Sequence, residues 1–428
     1  MKFSTQLDLN VVAHEAEDEI ALMLDLVAPA APADGEKRAG SSLQVVLDRS
    51  GSMAGAPLAG ALKALTGLVS RLDARDNFGV VVFDDAASVV VPAGPLTDKQ
   101  RVTDQLQSIR PGGTTDLSSG YLRGLQEVKR VLGDGGGTLL VISDGHVNRG
   151  ISDATRFGEL ARRAADEGVV TSTLGYGLGY DERLLSAIAR DGSGNHHFAE
   201  DPDAAGALIA SEVEDLLAKA VQAVSLTVRF SPFVEMLRLY NDLPATQVGD
   251  SEVMIEVGDF YADEARKLLM RLKVPAMAAL GLAQVATLEL RYVEVPAFVE
   301  KVVTIPITVN VVPGDEAAGR VANPTVRTEV LFQEAQHSKR LASDALAQGD
   351  RDAAKKLLDD AVATLCSAGD AAPALLRDEL AREAAEVAYL GDQAMVGDVN
   401  LTSKLAHESY HRQNRKRGRG PSSRPEAS

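Results

Sequence analysis

The sequence has no tryptophan, a single cysteine (Cys366) and only 4% aromatic residues. One cysteine cannot form an intramolecular disulfide, so the class of small secreted proteins held together by disulfides is excluded. No apolar run approaches the roughly 20 residues that cross a bilayer, so no transmembrane helix is predicted. Met1 to Asn10 also lack the apolar stretch of a secretory signal. We therefore expect a cytoplasmic protein, and the composition, rich in Ala, Gly, Asp and Arg, is typical of bacteria.

Several motifs of common enzyme and binding classes are also missing. Gly135-Gly136-Gly137 is not followed by Lys-Ser/Thr, so it is not a P-loop. His196 and His197 have no cysteine or second ligand pair nearby, which argues against a zinc site. The net charge of −17 argues against nucleic-acid binding, although His411 to Ser428 carries six basic residues against one acidic residue.

The 428 residues are 45% hydrophobic, which is enough for two or three domains. Short apolar runs alternate with amphipathic helical segments in the first large block, and we assign 41–221 to an α/β doubly wound, Rossmann-like domain. The run Ser88 to Val91 follows its predecessor too closely for a crossover, which predicts an antiparallel edge strand. The predicted helices are Pro57 to Leu72, Thr97 to Ile109, Leu117 to Leu132, Ala154 to Glu167, Asp181 to Ala189 and Asp203 to Val221.

The segments before and after this block have different residue patterns. Period-two alternation predicts an antiparallel β domain at 222–314. Residues 1–40 contain two predicted strands, Gln6 to Val12 and Ile20 to Val27, which are too few to fold alone. We expect them to pair with the later strands, so that the α/β domain is inserted into a β-sandwich. Residues 325–395 are predicted to form a helical domain, and 403–428 a basic, disordered tail.

Polar side chains follow the first strand of the α/β block. Asp48, Ser50 and Ser52 occupy alternate positions in Asp48-Arg49-Ser50-Gly51-Ser52, directly before the Pro57 helix. Loops at this edge of a doubly wound sheet are where ligands bind. Taken alone, Asp48 and Ser50 could simply cap the helix.

Two further loops reach the same edge. Thr114, Thr115 and Asp116 follow a glycine pair and precede the Leu117 helix, whereas Asp144 ends the strand after that helix. Asp144 alone could be a turn residue, but the joint occurrence of polar residues on three loops favours a shared site.

This order of motifs resembles the von Willebrand factor A family over roughly Leu43 to Val221. The resemblance implies a metal-ion-dependent adhesion site, with Asp48, Ser50, Ser52, Thr115 and Asp144 as metal ligands. Thr115 is preferred to Thr114 because it stands two residues before a leucine, as in the family motif. Thr114 and Asp116 would then orient the ligands. The A domain within a β-sandwich also resembles inter-alpha-trypsin inhibitor heavy chains and their bacterial relatives.

The resemblance implies a protein-interaction function rather than catalysis. An all-oxygen site suits Mg²⁺, or Mn²⁺ or Ca²⁺, and a partner protein would contribute a carboxylate to the ion. A role beside an AAA-type ATPase, as a subunit or co-chaperone, stays open. A metal-dependent hydrolase with Asp48 as nucleophile is disfavoured, because Ser50 replaces the second aspartate expected there. The sequence does not indicate the partner or the oligomeric state.

Overall fold

The computed structural model describes residues 1–30, 40–144, 147–177, 180–199, 204–209, 218–295 and 297–414. In chain order its strands are β1 (Lys2–Leu7), β2 (Val11–Ala13), β3 (Asp18–Val27), β4 (Ser42–Asp48), β5 (Asn77–Phe83), β6 (Ala87–Pro95), β7 (Gly137–Ser143), β8 (Val169–Tyr176), β9 (Ser193–Ala199), β10 (Lys219–Phe230), β11 (Glu235–Leu239), β12 (Ala245–Gly249), β13 (Glu252–Tyr261), β14 (Ala265–Val274), β15 (Gly281–Glu294) and β16 (Val299–Val312). Its helices are α1 (Ala56–Arg71), α2 (Lys99–Gln107), α3 (Leu117–Lys129), α4 (Ala154–Asp166), α5 (Glu182–Asp191), α6 (204–209), α7 (Gly314–Ala318), α8 (Pro324–Ala347), α9 (Arg351–Ala371), α10 (Ala374–Val396) and α11 (Val399–Asn414).

The inserted α/β domain has a six-stranded sheet in the order β6-β5-β4-β7-β8-β9. All neighbouring strands are parallel except β5 and β6, which confirms the predicted antiparallel edge strand. Every residue of β4 is buried, because helices cover both faces of the sheet. Val45 belongs to the core beneath α1 and α2, whereas Val46 belongs to the core beneath α3, α4 and α5.

The strand order places a crevice beside β4. The chain leaves β4 towards β5 on one side, and returns to β7 on the other side. The loops that follow β4 and β7 therefore diverge to opposite faces, and such switch points are where doubly wound sheets bind ligands.

Two further sheets form the predicted β-sandwich. One has the order β1-β3-β14-β11 and the other β12-β13-β10-β15-β16-β2. The strands of the N-terminal segment pair with the later strands, β3 with β14 and β2 with β16, so the insertion prediction is confirmed. A core of aliphatic residues from both sheets lies between them.

Helices α8 to α11 pack around a separate apolar core. Val326 and Val330 of α8 also cover the outer face of the four-stranded sheet, where they meet Met23 and Leu269. None of the helices in the described part of the chain combines the length and the apolarity that a membrane crossing requires.

Three expectations about local structure were wrong. The predicted strand Gln6 to Val12 breaks after Leu7, because the Asp8 carboxylate accepts hydrogen bonds from the N–H groups of Leu9 and Ala21, and its halves join different sheets. The helix predicted up to Val221 is strand β10 from Lys219 onwards. Residues 403–414 of the predicted disordered tail are helical, and 415–428 lie outside the described residues.

Candidate metal centre

The first loop of the site begins at Asp48, the last residue of β4. The Asp48 side chain is fully buried: its Oδ1 accepts a hydrogen bond from the Ser50 N–H at 2.8 Å, and its Oδ2 accepts one from the Ser143 hydroxyl at 2.7 Å. The Ser50 and Ser52 hydroxyl oxygens lie 3.1 Å apart. Ser50 is buried, whereas Ser52 is exposed. The loop therefore arranges two hydroxyls from the buried end of the site to its surface.

Asp144, which follows β7, joins this group directly. The Ser52 hydroxyl donates to its Oδ1 at 3.0 Å across 92 residues of sequence. Burial and the charge of Asp48 together outweigh the opposing hydrogen bond from Ser52 and raise the pKa of Asp144 to about 6. Burial likewise raises the pKa of Asp48, despite the hydrogen bonds from Ser143 and Ser50. Two carboxylates that burial makes harder to ionise thus lie in the same site. A cation bound there would favour their ionised forms.

The second loop carries Thr115, which is buried. Its N–H donates to the Asn148 side-chain oxygen at 2.8 Å, and its carbonyl accepts from the Asn148 and Arg149 N–H groups at 3.2 and 3.3 Å. The Thr115 hydroxyl has no hydrogen-bond partner within the described residues. The second loop is therefore tied to the third through its backbone, while the Thr115 hydroxyl is left for another ligand.

Backbone hydrogen bonds also tie the second loop to the first. The Gly51 N–H donates to the Gly113 carbonyl at 3.0 Å, and the Gly112 N–H donates to the Arg49 carbonyl at 2.6 Å. Gly112 leaves room for the Asp84 carboxylate, because a Cβ at this position would lie 1.9 Å from the Asp84 Oδ2. All three loops are thus held together by direct hydrogen bonds.

Thr114 and Asp116 face away from this group and hold the second loop in place. The Thr114 N–H donates to the Asp85 Oδ1 at 3.0 Å, and its hydroxyl donates to the same atom. Asp116 caps α3, where its Oδ1 accepts from the Ser119 N–H at 3.0 Å and from the Ser118 hydroxyl at 2.7 Å. The two residues flanking Thr115 therefore fix its backbone on both sides.

The donor set suits a hard divalent cation. It consists of two carboxylates and three hydroxyls, and all-oxygen sets of this kind favour Mg²⁺, Mn²⁺ or Ca²⁺. A cation would also account for two features of the site. It would stabilise the ionised forms of Asp48 and Asp144, whose pKa values are raised, and it would take the Thr115 hydroxyl as a ligand. In the described ranges, at this site or elsewhere, no group of three or more His, Cys, Asp or Glu residues is arranged to hold a metal.

Residues 43–212 match the family model of the von Willebrand factor type A domain. The chain contains a von Willebrand factor type A domain. Domains of this family generally mediate protein–protein interactions and commonly bind a divalent metal at their adhesion site.

Most of the chain has a bacterial relative, and a shorter part of it has relatives in animals. An uncharacterized protein of Synechocystis sp. is 26% identical over 352 residues, which cover 79% of this chain and 82% of that protein. Inter-alpha-trypsin inhibitor heavy chain H1 of Mesocricetus auratus is 26% identical over 174 residues, but these cover only 38% of this chain and 19% of the heavy chain.

One solved structure shares the fold over most of the chain. It is a von Willebrand factor type A protein from Catenulispora acidiphila, with a TM-score of 0.72 and 16% sequence identity, and the match covers 90% of this chain and 88% of that one. The sandwich and the helices therefore belong to a recurring arrangement around the A domain.

The A domain places all five predicted ligands on the three expected loops. Sequence reasoning missed the groups that support them, Ser143, Asn148, Asp84 and Asp85. A signal for Asp84 and Asp85 was present, because they follow β5, a strand parallel to β4 that ends at the same edge. Ser143 pairs beside Asp48 only because β7 neighbours β4, which requires the strand order.

Proposed function

We propose that the protein is an interaction module that binds an acidic residue of a partner protein through a divalent cation, Mg²⁺ first and Mn²⁺ or Ca²⁺ in the same class. Asp48, Ser50, Ser52, Thr115 and Asp144 would hold the ion, and Thr114 and Asp116 would keep the Thr115 loop in position. The observation that carries this proposal is the Ser52–Asp144 hydrogen bond of 3.0 Å, which joins two of the separated loops at an exposed point.

The five proposed protein ligands offer a divalent cation few negative charges. Three of the five proposed ligands are neutral hydroxyls, and only Asp48 and Asp144 carry charge. When bound, a divalent ion would supply a Lewis-acid position that a carboxylate from another protein can occupy. Ser52 and Asp144 lie at the surface end of the group, so this is the side from which we expect the partner to approach.

The buried position of Asp48 favours binding over phosphoryl transfer. Both of its carboxylate oxygens accept hydrogen bonds, from Ser50 and Ser143, and its side chain is not exposed to solvent. A nucleophile must reach its substrate, whereas a group that organises a loop around an ion need not.

The test is affinity purification from the native cell with the wild-type protein and Asp48→Asn, each with Mg²⁺ and with EDTA. Asp98→Asn is the matched control, because Asp98 caps α2 after the edge strand β6, away from the three loops. We expect partners that require Mg²⁺ and bind the wild type and Asp98→Asn equally but not Asp48→Asn. Partners retained by Asp48→Asn and in EDTA would contradict the proposal. An AAA-type ATPase among the Mg²⁺-dependent partners would instead favour the co-chaperone hypothesis.

A further inference from the structure

A third carboxylate lies beside the proposed metal ligands without belonging to them. Asp84 follows β5 and is 8% exposed, and its charge acts on the Asp48 carboxyl. Its Oδ2 occupies the space that Gly112 leaves open, and its carbonyl accepts the Asp116 N–H at 2.9 Å. A buried carboxylate at this position needs a positive partner.

Arg49 supplies that partner from within the Asp48-Ser50-Ser52 loop. Its Nη2 lies 2.8 Å from the Asp84 Oδ2. Its backbone is fixed at both ends, because the N–H donates to the Phe83 carbonyl at 2.9 Å and the carbonyl accepts the Gly112 N–H at 2.6 Å. Arg49 thus connects the end of β5, the first loop and the second loop.

The Arg49 guanidinium is held there although one of its donors is not satisfied. Its Nε is buried and has no hydrogen-bond partner in the described part of the chain. An unsatisfied buried donor is costly, so an arginine selected only for packing would be expected to avoid it. The feature that compensates is the ion pair with Asp84, which points to a role for the positive charge.

We propose that Arg49 is a positioning residue that holds the Asp84 carboxylate out of the metal site and offsets part of its charge. This inference rests on the proposed function. With Arg49 present, only the Asp48 and Asp144 carboxylates would be available to hold the ion, which would leave a position for the partner. Without it, Asp84 becomes a third acidic oxygen donor at the same edge. Ca²⁺ accepts six to eight oxygen ligands whereas Mg²⁺ requires six in a strict octahedron, so Arg49 also favours Mg²⁺ over Ca²⁺.

The test is calorimetric titration of Ca²⁺ and Mg²⁺ into the wild type, Arg49→Gln, Arg49→Lys and the double variant Arg49→Gln/Asp84→Asn. We expect Arg49→Gln to bind Ca²⁺ about tenfold more tightly than the wild type, with a smaller gain for Mg²⁺. Arg49→Lys should stay near wild type, because it keeps the charge. Removing the carboxylate as well should bring the double variant back to within about twofold of the wild type.

Unchanged or weaker Ca²⁺ binding by a folded Arg49→Gln protein would overturn the inference, and circular dichroism establishes that the variant is folded. If Arg49→Gln does not fold, Asp84→Asn decides. It leaves the Arg49 charge unpaired beside the site, so both ions should bind several-fold more weakly, and unchanged binding would refute the idea. A wild-type protein that takes up neither ion would instead refute the proposed function itself.

Discussion

Replacing Asp144 by asparagine should stabilise the protein in EDTA and remove the extra stability that Mg²⁺ confers. Burial, with a smaller contribution from the charge of Asp48, raises the pKa of Asp144 from 3.8 to about 6. Between these two pH values the folded protein keeps a proton that the unfolded chain has lost. The free energy of unfolding therefore falls as the pH rises through this window, and the full penalty is present at pH 7.5.

The size of the penalty follows from the pKa. A rise from 3.8 to about 6 corresponds to about 3 kcal/mol at 25 °C. Asp144 is partly exposed, so solvent screening reduces the expected gain in Asp144→Asn to about 1–2 kcal/mol. At a Mg²⁺ concentration of roughly 100 times its dissociation constant, the wild type should gain about 2.7 kcal/mol that the variant does not. The order of stability should therefore reverse when Mg²⁺ is added.

The stability difference can be measured locally, by hydrogen exchange of the backbone amides of β4 and β7. This measurement does not assume that a multidomain chain unfolds in one step. In EDTA at pH 7.5, exchange in these strands should be roughly 5–30 times slower in Asp144→Asn than in the wild type. With Mg²⁺ the order should reverse, so that these strands exchange more slowly in the wild type than in Asp144→Asn. Asp98→Asn should behave as wild type under both conditions. Faster exchange of Asp144→Asn in EDTA would show that Asp144 stabilises the metal-free fold and would refute the reasoning.

Three other substitutions probe the framework. Lys339 is fully buried against Glu383, so Lys339→Ala leaves an uncompensated charge and should lower stability by about 3–5 kcal/mol in urea denaturation followed by helical circular dichroism; a change below 1 kcal/mol would be inconsistent with that burial. Gly112→Ala places a Cβ 1.9 Å from the Asp84 carboxylate, so that carboxylate or the second loop must shift, and calorimetry should show Mg²⁺ binding at least about tenfold weaker; wild-type affinity would show that the site tolerates the methyl group. The Lys404 Nζ donates to the Tyr180 carbonyl at 3.0 Å, so Lys404→Ala should speed hydrogen exchange in α11 about fivefold or more, whereas an unchanged rate would mean that other contacts hold α11 on the A domain.

The parts of the fold that could be predicted were those whose burial is uniform along an element. The run Leu43 to Leu47 is apolar except for Gln44 and lies between helices on both sheet faces, and the amphipathic face of α1 has the spacing of a helix packed on one side. Pairing between distant strands was predictable only in outline. The short β2 could not be separated from β1, because the break depends on the Asp8 carboxylate meeting the Ala21 N–H in the folded chain.

The end of the helical domain shows a different limit. The basic residues near the C-terminus, together with Gly, Ser and Pro in the same stretch, favoured disorder, yet α11 continues to Asn414 because it has partners elsewhere in the chain. Its Lys404 forms an ion pair with Glu182 of the A domain, and its Ser409 hydroxyl accepts a hydrogen bond from the buried Lys339. Composition alone does not reveal such contacts.

The candidate site was predictable to the extent that residue order determines which loops reach one sheet edge. Motif order placed Asp48 and Asp144 at ends of strands on one sheet edge, and the structure links them through Ser50 and Ser52. The charges around these ligands could not be predicted, since the Arg49–Asp84 ion pair depends on how the β5 turn lies against the first loop.

The most direct test is a crystal structure of the protein soaked in Mn²⁺, with anomalous diffraction recorded for the ion. The account predicts one strong peak per chain, within roughly 2–2.5 Å of the Ser50, Ser52 and Thr115 hydroxyl oxygens. It also predicts at least one coordination position taken by water or by a carboxylate from a neighbouring molecule. No peak at the three loops, or an ion enclosed by protein ligands on every side, would contradict it.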